Sequence, residues 1–359
     1  MNKFKFYFIL FSTLLVLFSS CNKDDDELAV TPLRDFGAQF KTDSIAIDKY
    51  LQTHYLNLES VTDIASVVNS ADLIKKMPTT GTLPPSIFTL FNSPTLPRLL
   101  IKKIKKHDII YSVYYLQFSE GDSAEKPCPL DEVLVTYRGT SLKSGTETQS
   151  TGQVEVINAT EFENNPTNSK FTLSSTIAGW QEIFPLFGKG TFDETATGNG
   201  PNVYSNFGSG IMFLPSGLAY YNGSRTNIPS YSPLVFSFQL LNLKRIDNDG
   251  DGIFTIDEIV KNTDYSFTYS DSDGDGIVDF LDFDDDNDGF PTRNEIKKPT
   301  PFQGTSLYYP FNPIVDNPLT TDIDESEPKG IPDKSGDFST PTRVRRHLDK
   351  TAKPPYTTY

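Results

Sequence analysis

Apolar residues follow two different spacings along the chain, and these predict its secondary structure. Between residues 36 and 56 they recur every three or four positions, which predicts a helix that Asp43 or Ser44 could cap. From Ile109 onward, short segments rich in aromatic and β-branched residues predict strands. One helical stretch, Ile177–Leu186, interrupts them. Strands around a single short helix indicate the α+β class, with an antiparallel sheet packed on that helix.

The N-terminus has a pattern typical of a secretory signal peptide. Two lysines precede an almost unbroken apolar run, Phe6–Phe18, and two serines and Cys21 follow it. The run is shorter than the roughly 20 residues of a membrane-spanning helix. A cysteine in this place resembles the lipobox of bacterial lipoproteins. The resemblance implies lipidation of Cys21 and an outer-membrane lipoprotein that is periplasmic or surface-exposed, whereas the alternative is an ordinary cleaved signal with an incidental cysteine.

The negative charge of the chain is concentrated in one segment. The 359 residues have a formal net charge of −15. Residues 247–295 contain 14 Asp and 2 Glu against one Lys and one Arg, a balance of −14 that leaves about −1 for the rest of the chain. Because the chain has no basic run that could neutralise phosphates, the sequence argues against a nucleic-acid partner.

Three loops in this acidic segment match the template of calcium-binding loops. Each has aspartates at positions 1, 3 and 5, glycine at position 6 where the chain turns sharply, and an acidic residue at position 12. The second loop resembles thrombospondin type 3 repeats more than a helical EF-hand. A solvated acidic linker, the alternative, would not need glycine at the sixth place each time. We therefore expect structural Ca²⁺ bound by Asp247, Asp249, Asp251, Glu258, Asp271, Asp273, Asp275, Asp279, Asp282, Asp284, Asp286, Asp288 and Glu295.

A series of short blocks between residues 105 and 246 resembles the FKBP-type peptidyl-prolyl cis–trans isomerases. The blocks are Val133–Gly139, Phe171–Leu173, Ile177–Glu182, Leu214–Tyr220, Ile228–Pro229 and Leu234–Leu241. The resemblance covers about two-fifths of the chain and implies an FKBP-like sheet wrapped on the short helix. The resulting organisation is a signal peptide (1–20), a tether and helical region (21–104), an isomerase domain (105–246), a calcium-loop segment (247–298) and a Pro/Thr-rich tail (299–359).

The reaction that this resemblance implies needs a pocket and no catalytic cofactor. A peptide bond is held planar by a barrier of about 18–20 kcal/mol, and at an Xaa-Pro bond the two isomers are close in energy. A pocket that favours the twisted amide speeds their exchange. By the resemblance, Trp180 would be the floor under the proline ring, and Tyr137, Ile177 and Phe236 would line the walls. The expected substrates are Xaa-Pro bonds of exported or envelope proteins.

Two further family positions are matched, and one pair departs from the family pattern. Tyr220 would donate its hydroxyl to a substrate carbonyl, and the main chain of Ile228 would accept from the peptide. The pair Phe162-Glu163 stands where the family has Phe-Asp at the pocket rim. It follows a polar insertion after Leu142, which predicts a lengthened loop. This loop favours the alternative function, a non-catalytic surface interaction or chaperone protein that binds Pro-containing partners.

Overall fold

The structure, a computed structural model, describes residues 32–59, 63, 65, 68–149, 152–192, 203–300, 303, 306–314 and 329–356. The predicted signal peptide and Cys21 lie outside these ranges. In chain order the helices and strands are α1 (Phe36–Thr53), β1 (His54–Leu56), β2 (Ile74–Lys76), β3 (Arg98–Lys106), β4 (Ile109–Ser119), β5 (Glu132–Gln149), β6 (Gly152–Thr172), α2 (Ala178–Ile183), β7 (Thr191–Phe192), β8 (Tyr204–Ser205), β9 (Gly208–Leu214), β10 (Leu234–Lys244), α3 (Thr255–Glu258), β11 (Ile259–Lys261), β12 (Phe267–Tyr269) and α4 (Thr292–Glu295).

A six-stranded antiparallel sheet forms the centre of the fold. Its strand order is β3-β4-β9-β10-β5-β6, and three two-stranded pairs, β1-β2, β7-β8 and β11-β12, complete the strands. The pairing is antiparallel throughout the sheet. Mostly antiparallel strands with few helices confirm the predicted α+β class.

Both faces of the central strands are buried, which explains their continuous apolar sequence. In β9 all seven residues are buried. Met212 and Leu214 point to one face, where they pack with α2 and its Trp180. Ile211 and Phe213 point to the other face, where they pack with α1. Because successive side chains in a strand alternate between the faces, a strand between two helical layers has no solvent-exposed side.

Helix α1 confirms the predicted helix but not its predicted cap. The helix begins at Phe36, so Asp43 and Ser44 lie in its interior and neither is an N-cap. The Ser44 hydroxyl donates to the carbonyl of Phe40. The Asp43 carboxylate is 1% exposed and accepts hydrogen bonds from Ser216, far along the chain. The cap prediction is wrong because the helix begins seven residues before Asp43, whose carboxylate bonds to Ser216 and to Gln39 instead of to the first turn.

The predicted lengthened loop after Leu142 is a β-hairpin. Strands β5 and β6 stay paired from Glu132↔Thr172 to Gln149↔Gly152. Val156 and Ile157 are buried, while most other side chains of the distal β6 are exposed. The prediction of a loop is therefore wrong here. Ser and Thr are typical of loops as well as of strands, so the polar composition of this segment did not indicate strands.

The acidic loops continue directly from β10 and pack against the C-terminal segment. Ile253, Ile296, Tyr309 and Ile331 form a small apolar cluster between them. Arg346 is 1% exposed and donates to the carbonyls of Glu295 and Lys297. Residues 329–356 of the tail are therefore packed onto the third loop.

Candidate functional site

A cavity of about 320 Å³ opens between the sheet and α2. Tyr137 enters it from β5, Phe236 from β10 and Trp180 from α2. Tyr220 follows a short 3₁₀ helix, Ser216–Leu218, that begins just after β9. The full lining is Tyr137, Glu163, Phe171, Ser175, Thr176, Ile177, Trp180, Tyr220 and Phe236. Strands β5, β6 and β10, helix α2 and the short segments next to them thus contribute to one aromatic cavity.

The Trp180 ring lies at the centre of an aromatic cluster. Its centroid is 5.1 Å from Tyr137, 5.3 Å from Phe236 and 5.5 Å from Phe171, all edge to face. This arrangement is favourable for aromatic pairs and fixes each ring. Trp180 is 4% exposed, and no described residue accepts a hydrogen bond from its indole N–H. The ring is thus a rigid apolar floor with one unused donor.

Polar groups are confined to the rim of the cavity. The Tyr137 hydroxyl is hydrogen-bonded to Glu163, which extends from the neighbouring strand β6. Burial, with the Glu163 hydrogen bond as the next contribution, raises the pKa of Tyr137 well above its usual range. Tyr137 therefore keeps its proton and donates. On the opposite rim, the guanidinium of Arg225 lies 5.1 Å from the centroid of the Tyr220 ring.

Six of the eight predicted cavity residues line this one space, and two do not. Phe162 packs behind Phe236, with ring centroids 5.5 Å apart, and occupies the room left by Gly139. Ile228 is 4% exposed, and its N–H and C=O are both bonded to Arg225. The carbonyl oxygen of Ile228 keeps one free lone pair, because a carbonyl oxygen can accept two hydrogen bonds.

Three lining residues were not predicted as site residues. Phe171 belongs to one of the matched blocks, Phe171–Leu173, so its signal was present in the sequence. Ser175 and Thr176 directly precede Ile177, and only the turn into α2 brings them to the cavity. The only feature of the sequence that could have indicated Ser175 and Thr176 was their position next to a matched block.

The three acidic loops share one hydrogen-bonding pattern. Asp247 accepts from the N–H groups of Gly250 (2.7 Å) and Gly252 (3.1 Å), and Asp271 accepts in the same way at 2.8 and 3.2 Å. In the third loop Asp284 accepts from Gly289 at 3.0 Å. The sixth-place glycine has φ 107°, 96° and 92° in the three loops. Only glycine adopts this conformation without strain, which accounts for its repeated presence.

Positions 2 and 9 of each loop are also joined by a hydrogen bond. Asn248 donates to Thr255 (2.7 Å), Ser272 donates to Asp279 (2.7 and 2.8 Å), and Asp285 donates through its N–H to Thr292 (3.2 Å). Both oxygens of Asp279 are therefore used within its own loop. The structure does not bring Asp279 or Asp282 into the aspartate group of the second loop, although both were predicted ligands.

Carboxylates converge in each loop and at one further point. Among the described residues, oxygens within 4.8 Å of one another come from Asp247, Asp249 and Asp251; from Asp271, Asp273 and Asp275; from Asp284, Asp286 and Asp288; and from Asp251, Glu258 and Asp285. Two ionised carboxylates about 5 Å apart repel by about 3 kcal/mol at an effective dielectric constant of about 20. Oxygen-only donor sets of this kind suit Ca²⁺.

The environment of the deepest carboxylates opposes their ionisation. Burial, followed by the charge of nearby carboxylates, raises the pKa of Glu258 to about 9. For Asp251 burial is again the largest cause and raises the pKa to about 7. Glu295, at position 12 of the third loop, has its pKa raised by burial to about 8, and its Oε1 accepts from the Tyr356 hydroxyl at 2.5 Å. A bound cation would remove this unfavourable electrostatic energy.

Comparison with known proteins gives partial matches. A family model described as the BamM C-terminal region matches residues 248–322, about a fifth of the chain. FkpA from Escherichia coli is 26% identical over 37% of this chain and 48% of its own, with a TM-score of 0.26. A peptidyl-prolyl cis–trans isomerase from Pseudomonas syringae pv. tomato is 20% identical over 37% of this chain and 76% of its own, also with a TM-score of 0.26.

Each of these matches leaves most of the chain uncovered. The chain spans about half the length of FkpA. No curated protein matches it. TM-scores this low assign neither a fold nor a function to the chain. The inference of function therefore rests on the cavity. Within the described residues, no helix combines the length and apolar character that a membrane crossing requires.

The cavity can bind an apolar ring but is poorly equipped for acid–base chemistry. Glu163 is its one carboxylate among the described lining residues, and it already accepts from Tyr137. Tyrosine hydroxyls supply the donors at the rim. Such a site can desolvate and orient a bound group, which is sufficient for a reaction that breaks no covalent bond.

Proposed function

We propose that the chain is a peptidyl-prolyl cis–trans isomerase of the FKBP type. The observation that carries this proposal is the aromatic cavity over Trp180, in which six residues inferred from the family resemblance lie side by side. Its volume of about 320 Å³ is suited to a proline ring and its flanking peptide bond. The sheet packed on α2 would then be an FKBP-like sheet wrapped on its helix.

The proposed mechanism is selective binding of the twisted amide. The proline ring rests on Trp180, and the apolar walls exclude water from the preceding carbonyl. Amide resonance is weaker in a twisted bond, so a site that binds this form best lowers the barrier. Tyr220 donates its hydroxyl to a substrate carbonyl, while the Tyr137–Glu163 hydrogen bond keeps the opposite wall in place. No proton is transferred at any step.

We place the enzyme in the cell envelope, attached through a lipid on Cys21. Support comes from the sequence alone: a signal-like segment followed directly by cysteine. Acyl chains contribute about 0.8 kcal/mol per buried methylene, so more than one chain gives stable attachment. The substrates would then be Xaa-Pro bonds in exported or envelope proteins.

We also propose that the three acidic loops bind Ca²⁺ as a structural ion. One side-chain oxygen of each of Asp249, Asp273 and Asp286 has no hydrogen-bond partner among the described residues. Buried polar oxygens are rarely left unpaired, and a cation would satisfy several of them at once.

The isomerase proposal is tested with variants of the full-length chain. The rate of cis–trans exchange in an Xaa-Pro peptide is measured for wild type, Tyr220→Phe and Trp180→Leu, with Tyr269→Phe as a control. Tyr269 is 46% exposed and lies in β12, outside the cavity lining. We expect both cavity variants to lower the rate severalfold or more and the control to match wild type. Rates for the two cavity variants equal to the control would refute the proposed site.

A non-catalytic role is the second candidate, favoured by the long β5–β6 hairpin. Its strands have 18 and 21 residues, and the distal part lies beyond the cavity. A hairpin of this kind offers a surface for binding Pro-containing partners without turnover. Peptide binding at the cavity with no gain in exchange rate would decide for this candidate.

A further inference from the structure

Asp285 lies with the carboxylates of a different loop from its own. It occupies position 2 of the third loop, yet its oxygens lie within 4.8 Å of those of Asp251 and Glu258 in the first loop. The three side chains are only 1%, 2% and 7% exposed. The aspartate groups of the second and third loops, by contrast, include exposed or half-buried members. This is the most deeply buried acidic group among the described residues.

Five of the six oxygens of this group have no hydrogen-bond partner among the described residues, and the sixth, Asp251 Oδ1, accepts from the Ile253 N–H. Both oxygens of Asp285, both of Glu258 and the Oδ2 of Asp251 accept no hydrogen bond. The cost of burying a carboxylate without a partner is several kcal/mol, and such groups are normally paired or bound to metal. Three buried carboxylates that converge within 4.8 Å, with five of their six oxygens accepting no hydrogen bond, therefore indicate a cation site rather than a structural cluster.

The main chain of the third loop holds Asp285 in this position. Its N–H donates to Thr292 Oγ1, and the Thr292 N–H donates to the carbonyl of Phe283. In the other two loops, the residue at position 2 uses its side chain to close its own loop, as Asn248 and Ser272 do. In the third loop the main chain makes that contact, which leaves the Asp285 carboxylate available to the first loop.

We propose that Asp285 completes, from the third loop, a divalent-cation site with Asp251 and Glu258 of the first loop. The inference rests on the proposed calcium binding and adds that two loops share one ion. Since Ca²⁺ takes six to eight oxygen ligands, carboxylates from both loops and their main chain can surround it. The first and third loops then bind Ca²⁺ cooperatively.

The test is calorimetric titration of Ca²⁺ into the stripped full-length chain. Wild type is compared with Asp285→Asn and with Asp264→Asn, an exposed aspartate in the β11–β12 turn outside every carboxylate group. We expect Asp285→Asn to weaken the tightest site by at least about 10- to 100-fold, the loss seen when even outer partners of a metal are removed. Asp264→Asn should match wild type.

Thermal unfolding supplies a second readout that a purely structural role would not produce. With chelator, Asp285→Asn should unfold at or above the wild-type temperature because it removes a buried charge. With Ca²⁺ it should unfold below wild type. Titrations of Asp285→Asn that equal those of Asp264→Asn overturn the shared site while leaving calcium binding intact. A wild-type chain that takes up no Ca²⁺ overturns both the shared site and the calcium proposal, and the exchange assay remains a separate test of the isomerase.

Discussion

Asp43 shows how a single buried carboxylate connects two distant parts of the chain. Its Oδ2 accepts from the N–H and the hydroxyl of Ser216, both at 2.7 Å, and its Oδ1 accepts from Gln39 at 2.7 Å. Ser216 begins the short helix that leads to Tyr220 at the cavity rim. A residue in the first helix therefore positions the loop that carries a proposed donor.

Replacing Asp43 with alanine should destabilise the fold and reduce exchange activity. Hydrogen bonds to charged groups contribute about 1.5–3 kcal/mol each, and their loss leaves the buried Ser216 N–H unpaired. We expect the free energy of unfolding in urea to fall by at least about 2 kcal/mol. Gln52→Ala, an exposed change on the same helix, is the control. Equal unfolding energies for the two variants would show that the Asp43 contact contributes little.

At the residue scale, the sequence predicted side chains in recognisable blocks and missed those that depend on tertiary contact. Trp180 and Tyr137 could be inferred because their neighbours matched a known pattern. The partner of Asp43 is 173 positions away, and the site of Asp285 lies in another loop. No local pattern encodes either contact, since both arise when separate segments pack together.

At the scale of elements, the two ends of the β5–β6 hairpin differ: its base lines the cavity, and its polar distal half lies away from it. Its base provides Tyr137 and Glu163, whereas its distal half carries polar pairs such as Thr148↔Gln153. Two ion pairs, Lys49–Glu155 (2.9 Å) and Lys76–Glu147 (2.5 Å), join the distal half to α1 and β2. Exposed pairs of this kind contribute less than about 1 kcal/mol each.

A shortened hairpin should therefore keep its catalytic rate. The change replaces residues 147–154 with Asn-Gly, which favours the tight turn that a two-residue hairpin loop needs. We expect peptide exchange within about twofold of wild type, because the cavity lies at the other end of the strands. We also expect a small loss of stability from removal of the Lys76–Glu147 ion pair. Exchange rates on a short peptide and unfolding in urea provide the measurements. A tenfold loss of exchange with an intact fold would place part of the substrate site on the distal hairpin.

Elements whose apolar residues recur at a regular spacing could be predicted from the sequence, whereas the polar distal hairpin could not. The spacing in α1 and the aromatic runs of β4, β5 and β10 predicted their type. The distal hairpin was taken for a loop because its stability comes from cross-strand pairing, which composition does not reveal. The length of β6, 21 residues, could be seen only in the folded chain.

At the scale of the whole molecule, the C-terminal segment and the acidic loops support each other. Lys353 donates to the carbonyl of Asp288 at 2.7 Å, and Tyr356 donates to Glu295. Arg245, directly after β10, forms an ion pair of 2.5 Å with the buried Asp131, which directly precedes β5. The acidic segment is thus packed between ordered segments, as its calcium-loop prediction requires and a solvated linker would not.

Removal of Ca²⁺ should loosen the acidic loops and the tail but not the sheet. Trypsin digestion with and without chelator is the measurement, and the buried Arg346 is the reporter. We expect cleavage near Arg346 to become severalfold faster with chelator, because the repelling carboxylates separate and release the segment that packs on them. Cleavage at Lys103, in the edge strand β3, serves as the control and should not change. Equal cleavage at Arg346 in both conditions would count against bound metal.

The central claim is that the cavity over Trp180 accelerates Xaa-Pro isomerisation. Exchange NMR of an Xaa-Pro peptide with substoichiometric full-length chain tests it most directly, because binding and interconversion are observed in one sample. We predict that the cis–trans exchange rate rises in proportion to protein concentration and falls for Tyr220→Phe. Peptide signals that shift on binding while the exchange rate stays at its value in buffer would contradict the claim.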